Sequence, residues 1–332
     1  MHDSLDPVSM PANTVASQRA EAPAARLRGR PVLLATDGSA EARAAARVVA
    51  ALASEREAVP HVVRVLDVSA YPVPTPLPSV IAAADALVGR ALREADAEAL
   101  RAELGRELGA KVDWPAYLGL GSPAGVVVHE AEHIGAELIV MGIRRHDFVE
   151  RVLRDETTLT VMRRAHCPVL GVAPTLAGLP RRALVGIDFG RAGVRAARTA
   201  LALLHPAGTM VLAYVQPPHP PHEFRREDAE GAEIVRTLGI DAAFRRLATE
   251  LAAEAGVSVE PAVVDCRPGV GTVGELLALG DRVAADLLAV GSQRHRRIDR
   301  LLLGSVTTEL ARDGRHSLLV VPPHDEPAAP HP

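Results

Sequence analysis

Aromatic side chains are scarce in this 332-residue chain, which has one Trp, three Tyr and four Phe, or 2% of the sequence. The scarcity removes the stacking platforms on which single-stranded nucleic acid is held. A net charge of −4 gives no global basic bias toward duplex nucleic acid or acidic lipid. Only two cysteines occur, Cys167 and Cys266, far apart in the chain, and no CxxC is present. Neither a disulfide framework nor a thiolate metal site is spelled out; both cysteines read as small buried hydrophobes, and no metal is expected. No stretch approaches the roughly 20 consecutive apolar residues that a membrane span needs. Residues 1–29 are rich in Ala, Pro, Ser and Arg and contain no apolar run of signal-peptide length. They read as a disordered tail, and residues 324–332 as a second one. These absences together predict a cytoplasmic protein with neither a membrane nor a nucleic-acid partner.

What the chain has instead is a repetition. Ala136–Pro174 aligns without a gap on Ala285–Pro323, with 12 of 39 positions identical, among them Gly142/Gly291, Arg145/Arg294, His146/His295 and Arg151/Arg300. Chance matches are common in an Ala- and Leu-rich chain, but a Gly-x-x-Arg-His in register is not a composition effect. The chain therefore reads as two copies of one domain, residues 30–174 and 182–323, joined by 175–181 inside the Pro- and Gly-punctuated stretch APTLAGLPRR. The length agrees with about two domains, each able to bury a core of its own.

Each copy alternates short apolar runs with amphipathic helical patterns. In the first, predicted strands are Pro31–Thr36, His61–Val68, Val112–Leu118, Glu137–Gly142 and Pro168–Val172. Ser39 is the expected N-cap of the first helix, with Ala44, Val48 and Leu52 on its buried face. Further helices are predicted over about Ser79–Leu108, over Pro123–Gly135, and up to about Arg164. The second copy repeats the order with strands at Ala183–Ile187, Thr209–Val215, Val257–Val264, Asp286–Val290 and Ser317–Val321, and with a long helix at about Pro221–Ala255. Strands apolar on both faces, alternating with helices, predict an α/β fold: two open parallel sheets in tandem, each covered by helices on both faces. In such sheets ligands sit at the carboxyl ends of the strands, where the strand order reverses.

The residues just after each strand therefore carry the functional reading. In the second copy the fourth strand ends at Gly291; Arg294 follows three residues on, and Gly304-Ser305 opens the last helix. Glycines let a backbone approach a phosphate closely. A helix N-terminus offers free N–H groups and the positive end of its dipole to an anion. The loop between carries Arg294, His295, Arg296, Arg297 and Arg300, a charge run equally readable as a solvated surface. The first copy has Gly142 and Arg145 in the matching places, but Asp155-Glu156 where the second has Gly304-Ser305. A carboxylate at a helix N-terminus fills the place of the anion, so that copy reads as degenerate. The first strands end in Asp37-Gly38-Ser39 and Asp188-Phe189-Gly190; each aspartate is either an acceptor for an adenine or ribose, or a turn residue.

These features resemble the universal stress protein family, whose ATP-binding members carry Gly-x2-Gly-x9-Gly-Ser/Thr after the fourth strand and an Asp at the end of the first. The stretches LLATDGSAEARAAARVVA, GAELIVMG and AHCPVLGVAP are similar to the family as well. The resemblance covers nearly all of Arg30–Pro323. It implies five-stranded parallel sheets of order 3-2-1-4-5 that dock through their last strands within the chain, and leaves a further homodimer open. It also implies an adenine nucleotide, ATP with or without Mg²⁺, as the ligand. Asp188 and Val215 would line the adenine, while Gly291, Gly304 and Ser305 would hold ribose and phosphates. Arg294 replaces the second motif glycine and either obstructs the phosphates or contacts them. In the first copy Asp37 and Val65 match the adenine side, and Arg145 with Asp155-Glu156 breaks the phosphate motif.

Two other readings compete. Gly269-Val-Gly271-Thr-Val-Gly274 is a literal GxGxxG, but it follows the third strand of its copy. The dinucleotide fingerprint belongs to the first βα unit, so a glycine-rich turn giving close helix–strand packing is expected instead. No Walker A sequence or nucleophile elbow is present, so no catalytic residue is assigned; slow ATP hydrolysis has no residues to carry it. The expectation is a stress-response protein with a nucleotide sensor in its second copy. The alternative is a nucleotide-free scaffold in which both sites are degenerate.

Overall fold

Two runs of five strands merge into one sheet. The computed structural model describes residues 27–66, 90–143, 156–216, 239–292 and 304–323. The first copy contributes β1 (Pro31–Ala35), α1 (Ala40–Arg56), β2 (Val59–Leu66), α2 (Arg90–Leu108), β3 (Ala116–Leu120), α3 (Pro123–His133), β4 (Leu138–Gly142), α4 (Glu156–Arg164) and β5 (Val169–Val172). The second contributes β6 (Arg182–Gly186), α5 (Arg191–Leu203), β7 (Thr209–Gln216), α6 (Ile240–Ala255), β8 (Ser258–Asp265), α7 (Gly271–Arg282), β9 (Leu287–Gly291), α8 (Ser305–Asp313) and β10 (Ser317–Val321). Within each copy the order is 3-2-1-4-5 and every pairing is parallel.

The expected two sheets are thus halves of a single ten-stranded sheet, joined where β5 and β10 pair antiparallel with Leu319 opposite Leu170. Left apart, each of these strands would present an apolar edge with unpaired N–H and C=O groups. Pairing removes both edges, and a buried Ser317 hydroxyl accepts from the Ala173 N–H at 3.1 Å at the junction. The remaining outer strands are β3 and β8, and β8 contains Pro261, which a sheet tolerates at its edge.

Alternation along the strands divides the core into two layers. Val32 and Leu34 point into one, with side chains of α1, α2, α5 and α6; Leu33 and Ala35 point into the other, with those of α3, α4, α7 and α8. The Ser39 hydroxyl caps α1 by accepting from the Ala42 N–H at 3.2 Å, and Ala44, Val48 and Leu52 are fully buried, as their spacing predicts. Leu27, within the stretch read as tail, is buried against the first layer, and Gly29 donates to the Glu57 carbonyl. The third strand starts later than expected, after Pro115, whose ring nitrogen has no proton to give to a ladder. The predicted helix parts at 79–89 and 221–238 lie outside the described residues.

Arg56 ties the copies together on one face of the sheet. Arg56, at the end of α1, is 9% exposed; its Nε donates to the Ala202 carbonyl at 3.1 Å and its Nη2 to the Leu204 carbonyl. These are C-terminal carbonyls of α5, a helix with no basic residue in its own last turn. The guanidinium supplies both the missing donors and a positive charge at the negative end of that helix.

Candidate functional site

In the second copy, the carboxyl ends of β7, β6 and β9 lie side by side. Gly186 is opposite Ala213, and the Ile187 N–H donates to the Ala213 carbonyl at 2.8 Å. Two residues further along are Asp188, just past the end of β6, and Val215, the last residue but one of β7. Asp188 is exposed; its Oδ1 accepts from the Gly190 N–H at 2.9 Å, closing a turn over Phe189. An ideal Cβ at Gly193 would lie 2.8 Å from that oxygen, so the missing side chain lets the carboxylate reach the first turn of α5. The positive end of the helix dipole favours a carboxylate there.

Among the described residues, Phe189 is one of three non-glycine residues with a positive φ, at 60°. For a bulky side chain this costs about 1–3 kcal/mol. Its ring is buried (9% exposed) and packs edge-on against Phe244 of α6, with centroids 4.8 Å apart, and against Tyr214 of β7 at 5.6 Å. Burial holds the Tyr214 hydroxyl above its ordinary pKa, and the Asp188 charge adds to the effect.

The matching turn in the first copy is built differently. Asp37 Oδ1 accepts from the Ser39 N–H at 2.9 Å around Gly38, whose φ is 79°. Above Gly38 lies a salt bridge, with Arg64 Nη2 at 3.0 and 2.9 Å from the two Glu103 oxygens. A Cβ on Gly38 would meet Glu103 Oε1 at 3.0 Å and Arg64 Nη2 at 3.2 Å. Arg64 and Tyr214 are each the sixth residue of their eight-residue strands, so an ion pair in one copy stands where an aromatic cluster stands in the other. Val65, like Val215, is partly buried beside this turn on the opposite layer.

Gly142 and Gly291 end β4 and β9. A Cβ on Gly291 would lie 2.4–2.7 Å from Ala192, and one on Gly142 2.5–2.8 Å from Glu41 and Ala42. Both glycines are therefore required so that the first turn of the first helix of the same copy, α5 or α1, can seat on the strand end. Gly304 is the N-cap of α8; no side chain caps that helix, and Gly304 and Ser305 are exposed with open space around the glycine. Arg145, His146, Arg151, Asp155, Arg294 and the basic residues through Arg300 lie outside the described residues, as do both phosphate-loop interiors.

Three other features of the sequence, the GxGxxG, the two cysteines and an HExxH, have these surroundings. Gly269 and Gly271 have φ of 81° and 71° with nothing near their Cβ positions. The GxGxxG glycines at these two places thus serve a left-handed turn, not close packing. That turn is closed by Arg267, which grips Glu275 through both its backbone N–H and its guanidinium at 2.8–3.1 Å. Cys167 is buried, and burial pushes its thiol up to about 12, whereas Cys266 is only partly buried. Sequence reasoning also passes over a literal HExxH, His129-Glu130-Ala131-Glu132-His133 on α3, visible from spacing alone. Both histidines are exposed there, and among the described residues no group of three or more His, Cys, Asp or Glu side chains could hold a metal. Among the described residues no helix is long and apolar enough to cross a membrane.

A sequence model described as the universal stress protein family matches residues 29–173 and again residues 180–322. A universal stress protein of Methanocaldococcus jannaschii is 33% identical over 143 residues, which is 42% of this chain and 80% of that protein. A solved universal stress protein from Archaeoglobus fulgidus superimposes with a TM-score of 0.58 at 17% identity, covering 90% of this chain and 98% of its own. A putative universal stress protein from Pseudomonas aeruginosa does so with 0.53 at 15% identity, covering 91% and 95%. A tandem α/β protein with two strand-end turns and one uncapped glycine–serine helix start is the class these features define. The chain belongs to the universal stress protein family and carries the family domain twice.

Proposed function

We propose that this stress-response protein binds an adenine nucleotide, ATP with or without Mg²⁺, in its second copy as a sensor or regulator, while the first copy serves as scaffold. The observation that carries the reading is the asymmetry at the last helix of each copy. In the second copy the helix opens on an exposed Gly304-Ser305 with no side-chain cap; in the first it begins at Glu156, which follows Asp155 in the sequence. The helix of the second copy can take phosphate oxygens on its N–H groups, its Ser305 hydroxyl and the positive end of its dipole. The helix of the first copy meets a phosphate with like charge. Asp188 and Val215, on the strands next to β9 and beyond it, supply a hydrogen-bond acceptor and an apolar wall for an adenosine moiety. The triphosphate itself supplies the charge that the site would read. Asp188 orients the adenosine, α8 holds the phosphates, and no residue is assigned to hydrolysis.

A nucleotide-free scaffold is favoured by one observation: the packing of Gly291 against Ala192 accounts for that glycine without any ligand. Ser305→Glu separates the two readings. Calorimetric titration with ATP and Mg²⁺ should give saturable binding that is lost in Ser305→Glu and kept in Thr157→Glu of α4. Unchanged affinity in Ser305→Glu would remove α8 from the site.

A further inference from the structure

We infer that Phe244 and Tyr214 are positioning residues: they clamp Phe189 in its left-handed backbone and thereby fix the Asp188–Gly190 turn at the mouth of the site. The inference rests on the nucleotide reading above only for its consequence, not for its geometry.

At the matching place of the first copy, a glycine adopts the same sign of φ without strain. Phenylalanine does not, so something outside the turn must hold it. The holding contacts are the ring's burial and its two aromatic neighbours, Phe244 at 4.8 Å and Tyr214 at 5.6 Å, which face one another at 6.3 Å. Phe244 is 1% exposed, so the clamp is anchored in the core on α6. Three of the chain's eight aromatic residues meet here, in a protein whose cores are otherwise almost wholly aliphatic.

The backbone at Phe189 sets the direction of both neighbours. On one side is Asp188, whose carboxylate bonds the Gly190 N–H and lies against Gly193. On the other is Gly190, the N-cap of α5, whose carbonyl accepts from the Val194 N–H at 3.2 Å. The next residues of α5 bring Ala192 onto Gly291. A single φ held by aromatic packing therefore governs the carboxylate on the adenosine side and the seat of the strand end on the phosphate side. If the clamp is loosened, φ returns toward negative values, Gly190 rotates, and both change together.

The test uses the full chain with Phe244→Ala, Phe189→Gly and the double variant. Glycine at 189 takes the left-handed conformation without a clamp, as Gly38 does, so the double variant should rescue the turn although it has lost two rings. In Phe244→Ala, amide hydrogen exchange at Gly190 and Val194 should quicken by about tenfold or more relative to Ala42 and Arg43 of the first copy. In the double variant it should return to within about threefold of the parent. If Phe244→Ala does not fold, Phe244→Leu keeps most of the volume without the edge-on ring and should show the same change in smaller degree. Unchanged exchange in Phe244→Ala and Phe244→Leu, or a double variant as unprotected as Phe244→Ala, would overturn the clamp. ATP affinity measured on the same samples should fall and recover in step. A parent chain that binds no ATP but shows the exchange pattern would leave the clamp standing and remove the nucleotide reading.

Discussion

The two strand-to-helix turns of this molecule solve one geometric problem with different chemistry. Each must swing the chain from the end of a central strand into a helix whose first turn rests on the glycine that ends the neighbouring strand. The first copy uses Gly38, free to adopt a positive φ, and covers it with the Arg64–Glu103 pair. The second uses Phe189 against Tyr214 and Phe244. The ionic cover is partly exposed, with side chains 23% and 38% accessible, and contributes little to stability. The aromatic cover is buried and adds both area and edge-to-face geometry. The difference teaches that the copy whose last helix starts on an uncapped Gly304-Ser305 is also the one whose turn is covered by buried aromatic rings.

That comparison can be broken from either side. Phe244→Ala should destabilise the second copy by about 3–5 kcal/mol, because a fully buried ring leaves a cavity and unclamps a strained turn; denaturant unfolding of the full chain measures it. Next in size, Arg56→Met should cost about 1–3 kcal/mol by leaving the Ala202 and Leu204 carbonyls without their donor. The loss should appear as faster exchange at the end of α5, in the copy that does not contain the substitution. Glu103→Gln should cost about 1 kcal/mol or less, and raised salt should shrink the difference from the parent, since the pair is screened.

The smallest effect is one of pH. Burial holds the His316 imidazole below its ordinary 6.5, the neighbouring Asp281 offsetting part of this. A folded-state pKa below the unfolded value means that the unfolded chain binds the proton more readily. Stability from this group is present above about 6.5 and falls as the pH is lowered through that value toward the folded-state pKa. Replacing His316 by Gln should flatten that part of a stability–pH curve.

Much of the fold was legible in the sequence, because hydrophobic alternation and the gapless repeat both report local geometry. Ser39, Ala44, Val48 and Leu52 fell where the spacing puts them. The joining of the two sheets at β5 and β10 was implied by the family resemblance and not by periodicity, which shows that both strands are apolar but not that they find each other. Arg56 was invisible for the same reason, since its partners lie in the other copy. The left-handed Phe189 left one trace, its alignment with Gly38, but a φ angle is not written in hydrophobicity. Gly291 was read for a phosphate and Gly142 as its degenerate equivalent; the contact each makes with the first helix of its copy was not legible, because it needs two segments about 100 residues apart. The literal HExxH erred the other way, offering metal-binding spacing that two exposed histidines do not turn into a site.

The central claim is that one copy binds nucleotide and the other does not. Calorimetric titration of the full chain with ATP and Mg²⁺, beside Ser305→Glu, tests it most directly. The account predicts saturation at about one nucleotide per chain, abolished in the variant by like charge at the helix terminus. Saturation near two per chain, or binding that survives Ser305→Glu unchanged, would contradict it.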